Sequence, residues 1–327
     1  MGAMKKTATR TETSPETGTD TDTTADTETA AGMRADADAD MGRDAGTDAG
    51  SSTDAGARAR TGRAERAARA GAAVSAGRLA GKTALVTGGS RGIGRGIAER
   101  LGRDGALVAV HYGTNEAAAK ETVAAIERSG GSAFAIGAEL GRPGDARALW
   151  SAFDAHADGL DILVNNAGIG TSRPFADTDE AEFDRLFAVN AKAPYFITQL
   201  ALERLRDGGR IINISSGVSH AAVLPDIMTY AMTKGALDVF TRNLSKVLGP
   251  RGITVNAVAP GIVDTDVNAA WLRGEENREA REGAAAMSAL GRVGTVEDIA
   301  DVVAFLAAPD GRWVTGQWID ATGGSLA

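Results

Sequence analysis

The chain has 327 residues, a formal net charge of −8 and no cysteine. That balance lacks the basic footprint of a nucleic-acid binder, and without cysteine there is neither a disulfide framework nor a thiolate metal site. No apolar run approaches the roughly 18 residues of a membrane span, and His111, His156 and His220 lie far apart, so a soluble cytoplasmic protein without a metal centre is expected.

Residues 1–78 contain no Phe, Trp or Tyr and repeat Thr-Asp and Ala-Asp steps, as in Thr19-Asp20-Thr21-Asp22. Such a segment buries too little apolar area to offset the entropy of ordering it, so a disordered tail is expected. Its basic strip, Arg58, Arg60, Arg63, Arg66 and Arg69, reads as a solvated linker. Residues 79–327 hold every aromatic residue and suffice for one α/β domain.

That domain opens on Ala84 to Val86, a short apolar run that reads as a buried strand. Behind it come Thr87-Gly88-Gly89-Ser90-Arg91-Gly92-Ile93-Gly94 and a helix with apolar Ile93, Ile97 and Leu101. This order suits a phosphate-binding crossover. Glycines let the backbone approach a pyrophosphate, and the helix N-terminus offers free N–H groups and partial positive charge. Ala106 to Tyr112 reads as the second strand. NAD-binding crossovers usually end this strand on an acid that bonds the ribose 2′-hydroxyl. Here Tyr112, Gly113, Thr114 and Asn115 come first, with no acid before Glu116, while Arg91 sits inside the glycine turn. A guanidinium there suits a 2′-phosphate, so NADP(H) is expected in preference to NAD(H).

A helix over Glu116–Arg128 and a strand over Ala133–Ala138 follow, the strand ending at Glu139 and Leu140. Then come a helix from Asp145 to Ala157 and a strand over Leu160–Val164, closed by Asn165-Asn166-Ala167-Gly168. Glu180 to Arg206 reads as one long amphipathic helix that carries Asn190 and is kinked at Pro194. Arg210 to Ser215 is a strand ended by Ser216-Gly217, Thr229 to Leu248 a helix, and Ile253 to Val258 a strand closed by Pro260-Gly261. A variable stretch, Asp264 to Leu290, is expected to cover the site. Thr295 caps the last helix, with Asp298 at its third position, and Val314 to Ile319 supplies a seventh strand. The alternation predicts a doubly wound parallel sheet of about seven strands, with a Rossmann-type arrangement.

Tyr230 and Lys234 stand four apart on a helix and therefore share a face. A lysine cation beside a phenol stabilises the phenolate and lowers its pKa, which suits general acid–base work on a carbonyl/alcohol pair. Ser216, at the end of the preceding strand, can hydrogen-bond the same oxygen.

With these motifs in this order, residues 80–327 resemble the short-chain dehydrogenase/reductase family. The matching positions are Gly88, Ser90, Arg91, Gly92, Ile93 and Gly94 in the glycine turn, Asn165-Asn166-Ala167-Gly168, Asn190, Ser216, Tyr230, Lys234, and Pro260-Gly261-Ile262-Val263-Asp264-Thr265. The glycine turn looks like that of the NADP-preferring, oxoacyl-carrier-protein-reductase-like branch. The resemblance implies hydride transfer from NAD(P)H, with Tyr230 donating the proton, Lys234 binding the nicotinamide ribose and tuning Tyr230, and Ser216 orienting the substrate oxygen. It also implies that Asn190 holds a water linked to Lys234. Asn166, Ala167 and Gly168 would lie beside the adenosine ribose, Glu139 and Leu140 beside adenine, and Pro260, Gly261, Val263 and Thr265 beside the nicotinamide. Subunits of the family commonly pair helices equivalent to 180–206 and 230–248, which implies a homotetramer.

Two departures stand out. Ser216 precedes Tyr230 by fourteen residues where the family often has thirteen, leaving Ser215 and Ser219 as lesser candidates. Glu139 stands where the family usually has Asp. His220, between Ser216 and Tyr230, could touch substrate or be a bystander. The pocket lining (Val218, Val223, Leu224, Met228, Val267, Met287) suggests a moderately apolar carbonyl compound. The leading reading is an NADPH-dependent ketone reductase. A nucleotide-binding regulatory protein with vestigial redox activity, or a dehydratase or epimerase on the same fold, is the alternative.

Overall fold

The computed structural model describes residues 77–326 apart from Thr171 and Val223, so the expectations for residues 1–76 lie outside the described residues. Seven strands, β1 (Thr83–Val86), β2 (Leu107–Tyr112), β3 (Ser132–Gly137), β4 (Leu160–Asn165), β5 (Leu205–Ile214), β6 (Thr254–Pro260) and β7 (Trp318–Ala321), form one sheet. Its order is β3-β2-β1-β4-β5-β6-β7 and every pairing is parallel. The expected doubly wound sheet is therefore present. Its winding reverses between β1 and β4, which opens a crevice at their carboxyl ends.

Alternation along each strand divides the core between the two faces. Ala84 and Val86 of β1 pack with Val108 and Val110 against α1 (Gly92–Arg103), α2 (Glu116–Arg128) and α9 (Val296–Ala307). Leu85 points the other way, into a cluster with Trp150 and Phe153 of α3 (Asp145–Asp154) and Ile197. Burying side chains of this size contributes roughly 1.5–3 kcal/mol each. Thr295 caps α9 as expected, its side chain and that of Asp298 bonding each other's backbone N–H.

The single helix expected over residues 180–206 is not found. It divides into α4 (Glu180–Phe187), a π-helical turn (Ala188–Lys192) and α5 (Ala193–Ala201), and the chain has already entered β5 by Leu205. Pro194 supplies the reason: it has no N–H to return to the carbonyl of Asn190, and the Ala193 N–H reaches back five residues to Ala188. β5 starts early because Leu205 pairs with Leu160 before Gly208, at φ +73°, lets the strand bulge and resume at Arg210.

At the amino edge of the sheet, buried Asp161 accepts from Lys82 Nζ at 2.9 Å, the Thr83 N–H at 3.0 Å and Arg206 Nη1 at 2.6 Å. One carboxylate thus ties together the starts of β1, β4 and β5.

Candidate active site

The glycine turn runs from β1 into α1 at the crevice. Gly88 and Gly92 adopt φ of +63° and +54°, conformations that side chains resist. A Cβ at Gly94 would run into the Gly88 carbonyl and the Asn166 amide, so helix and turn touch there backbone to backbone. Arg91 occupies the N-cap of α1 without its side chain bonding the first turn. Ser90 offers its carbonyl to Thr122 Oγ1 at 3.3 Å, and Ile93 packs on the core.

The Gly88 peptide is gripped from both sides. Its N–H donates to His111 Nδ1 at 3.0 Å, and its carbonyl accepts from Asn166 Nδ2 at 3.1 Å. The same Asn166 amide also reaches the Thr87 carbonyl at 2.9 Å. Because His111 Nδ1 accepts, Nε2 carries the proton and donates to the Ala138 carbonyl at 2.9 Å. Burial holds this imidazole neutral, with its pKa lowered to about 4. In the sequence His111 reads only as a strand residue. The available signal was a polar side chain near the end of an otherwise apolar strand.

On the other side of the crevice, α6 (Met228–Leu248) brings Tyr230 and Lys234 beneath the end of β5. Lys234 Nζ lies 5.5 Å from the Tyr230 ring centre and donates to the Ile214 carbonyl at 2.8 Å. Asn190, in the π-helical turn, is wholly buried. Its amide donates to the Ile169 carbonyl at 2.8 Å and to Thr233 Oγ1 at 3.1 Å, and its Oδ1 accepts the Ile169 N–H at 2.9 Å. Gly168 completes the group: a Cβ there would stand 3.3 Å from Asn190 Oδ1 and 3.5 Å from Lys234 Nζ. Ser216 follows β5 and opens a short 3-10 turn, Gly217–Ser219.

Burial lowers the Lys234 pKa to about 8, against the pull of Asp238 one turn further along α6. The expectation that Lys234 draws the Tyr230 phenol down is corrected. Burial raises it, and only the Ser216 hydroxyl pulls the other way. The phenol is therefore held protonated, the form a proton donor requires.

Elsewhere the expected positions divide. Thr265 approaches the glycine turn, its Cβ 3.6 Å from where a Gly92 Cβ would be, and Val263 is buried in a bridge to Gly294. Pro260 ends β6, and Gly261 packs against Thr322. Leu140 leans on the core, whereas Glu139 turns outward to an exposed ion pair with Arg142 at 2.8 Å. His220 faces Asp238 and Trp318. Two short helices, α7 (Ala269–Leu272) and α8 (Arg278–Ala286), follow β6, and Leu272 and Ala284 pack together with Val293. Arg273 and Arg281 tie this segment to Asp264 at 2.7 and 3.0 Å.

The family model described as enoyl-(acyl carrier protein) reductase matches residues 88–325. A hydroxynaphthalene reductase-like protein of Metarhizium brunneum is 43% identical over 256 residues, 76% of this chain and 96% of its own length. Among solved structures, the angucycline C-6 ketoreductase LanV with bound NADP is 51% identical, with a TM-score of 0.72 over 76% of this chain and 97% of its own. The promiscuous reductase LugOII, which catalyses keto-reduction at C1 during lugdunomycin biosynthesis, is also 51% identical, with a TM-score of 0.72 over 76% and 100%. The chain belongs to the short-chain dehydrogenase/reductase family of NAD(P)-dependent oxidoreductases.

Proposed function

We propose that the protein is an NADPH-dependent ketoreductase acting on a ketone carried by a flat, fused-ring skeleton, with residues 79–327 as the catalytic domain. The observation that carries this reading is the Tyr230 phenol beside Ser216, with buried Lys234 and Asn190 behind it. Bound NADPH supplies a hydride to the carbonyl carbon. Tyr230 gives its phenolic proton to the carbonyl oxygen, and Ser216 hydrogen-bonds the same oxygen. Lys234 would hold the nicotinamide ribose, and the Ser216 hydroxyl stabilises the phenolate that forms. The lost proton returns past Lys234 from water held at the Asn190 backbone carbonyl, for which Pro194 offers no competing N–H.

Several observations support the cofactor choice. The uncapped N-terminus of α1 and the left-handed glycines fit a pyrophosphate. No acid ends β2, and Asn115 turns its side chain to the Ala118 N–H at 3.0 Å and caps α2. Arg91 is exposed beside that edge, and the related ketoreductase LanV binds NADP. For the substrate, exposed Leu224, Met228, Val267 and Met287 flank the site with apolar surface, and the relatives named for hydroxynaphthalene and angucycline chemistry point the same way.

We also propose assembly with further copies of this chain, as a homotetramer. Tyr195, Phe196 and Phe240 are at least partly exposed along a groove of about 700 Å³ between α4–α5 and α6. The function is tested by following NADPH and NADH oxidation with a panel of fused-ring ketones. Tyr230→Phe is expected to lower kcat by about 10²–10⁴-fold while NADPH still binds. Near-normal turnover by that variant would refute the mechanism.

A further inference from the structure

His220 ends the tight turn that Ser216 begins. The Ser216 carbonyl accepts from the Ser219 N–H at 3.1 Å and from Ser219 Oγ at 2.7 Å, and the His220 N–H closes on the Gly217 carbonyl at 3.1 Å. From there the imidazole leaves the substrate side and lies flat on Trp318 of β7, with ring centres 4.0 Å apart and planes 7° from parallel. Its Nε2 stands 3.5 Å from Oδ2 of Asp238, a carboxylate that is only 3% exposed.

A buried carboxylate is costly unless it meets charge or hydrogen-bond donors. Neither oxygen of Asp238 has a well-formed hydrogen bond. The groups facing it are the Ser215 and Ser219 hydroxyls and His220 from the end of β5 and the turn, and Arg242 and Lys234 from its own helix, while the Trp318 ring of β7 backs the imidazole. Of the nitrogen-bearing groups among them, His220 alone belongs to the turn that carries Ser216. An imidazole N–H donates to a carboxylate in a charge-assisted bond.

Resting on the ketoreductase reading, we propose that His220 and Asp238 act as a pair of positioning residues, clamping the turn that carries Ser216 onto the catalytic helix while Trp318 holds the imidazole flat. The clamp sits one helical turn beyond Lys234 and four residues beyond Ser216. It sets the reach of the Ser216 hydroxyl towards the substrate oxygen without touching substrate.

The test compares wild type, His220→Phe, Asp238→Asn and the double variant as full-length proteins. His220→Phe keeps a ring to stack on Trp318 and removes the nitrogen that faces Asp238. It is expected to lower kcat about tenfold, with the KM for ketone and the NADPH affinity by fluorescence titration unchanged. The double variant is expected to be no worse than either single one, because both remove one interaction. Equal kcat for wild type and His220→Phe, or losses that multiply in the double variant, would overturn the clamp. A wild type that reduces no ketone at all would instead sink the functional reading. The pair is then still testable by NMR: His220 imidazole resonances unmoved by Asp238→Asn refute it.

Discussion

His111 couples the cofactor turn to pH through a single buried proton site. In the folded protein its Nδ1 must accept the Gly88 N–H, so protonation there breaks the bond and places a charge in the core. Its pKa is about 4 when folded against 6.5 when exposed. Because the folded value is the lower one, the unfolded chain binds the extra proton between the two. Stability is therefore full above about pH 6.5 and falls as the pH drops towards 4. The gap corresponds to about 3 kcal/mol in all, of which about 2 kcal/mol is lost between pH 7 and pH 5. His111→Gln retains an acceptor and a donor but does not titrate. Urea unfolding of both proteins at pH 7 and pH 5 should show wild type losing about 2 kcal/mol more than the variant over that interval. A difference between them that is the same at both pH values would refute the assignment.

Lys234→Met should abolish reduction yet raise stability at pH 7 by on the order of 1–3 kcal/mol in urea unfolding, because a charged group held at a pKa of about 8 by burial is removed. Since the folded pKa of Lys234 lies below its usual 10.5, that gain should shrink as pH rises above about 8 and be largely gone near 10.5. Gly94→Ala drives a methyl into the Gly88 carbonyl and the Asn166 amide; it should cost about 1–3 kcal/mol and weaken NADPH binding at least tenfold by fluorescence titration. Arg273→Ala removes one of the two ties that hold the α7–α8 segment to Asp264 and should raise the KM for ketone several-fold while leaving kcat and NADPH affinity near wild type, an effect that shrinks at high salt.

The doubly wound parallel sheet was legible in the sequence, as were the glycine turn behind β1 and the sharing of one helix by Tyr230 and Lys234, because each depends on local pattern. Val86 followed by three spaced glycines, and Tyr230 four residues before Lys234, are signals a linear reading can weigh. What escaped depends on partners distant in sequence. The π-helical turn around Asn190 follows from a missing N–H at Pro194, which the sequence reading took for a simple kink. His111 gains its role only when Gly88 and Ala138 close on it. The Tyr230 phenol was expected to fall beside a cation, but burial outweighs that pull, and burial is a property of the packed fold. Asn166, expected beside the ribose, spends both amide hydrogens on the Thr87 and Gly88 carbonyls.

The Asp161 knot has a practical corollary. It fastens the amino ends of β1, β4 and β5 at the edge opposite the crevice, and Gly77 to Lys82 enter the domain at that same edge. Whatever is attached ahead of Gly77, whether an affinity handle, a surface anchor or a fused enzyme, joins on the far side of the sheet from the glycine turn and Tyr230. The entrance to the chemistry and the point of attachment are separated by the length of the strands. A junction ahead of residue 77 is therefore a rational place to tether the molecule while sparing the site.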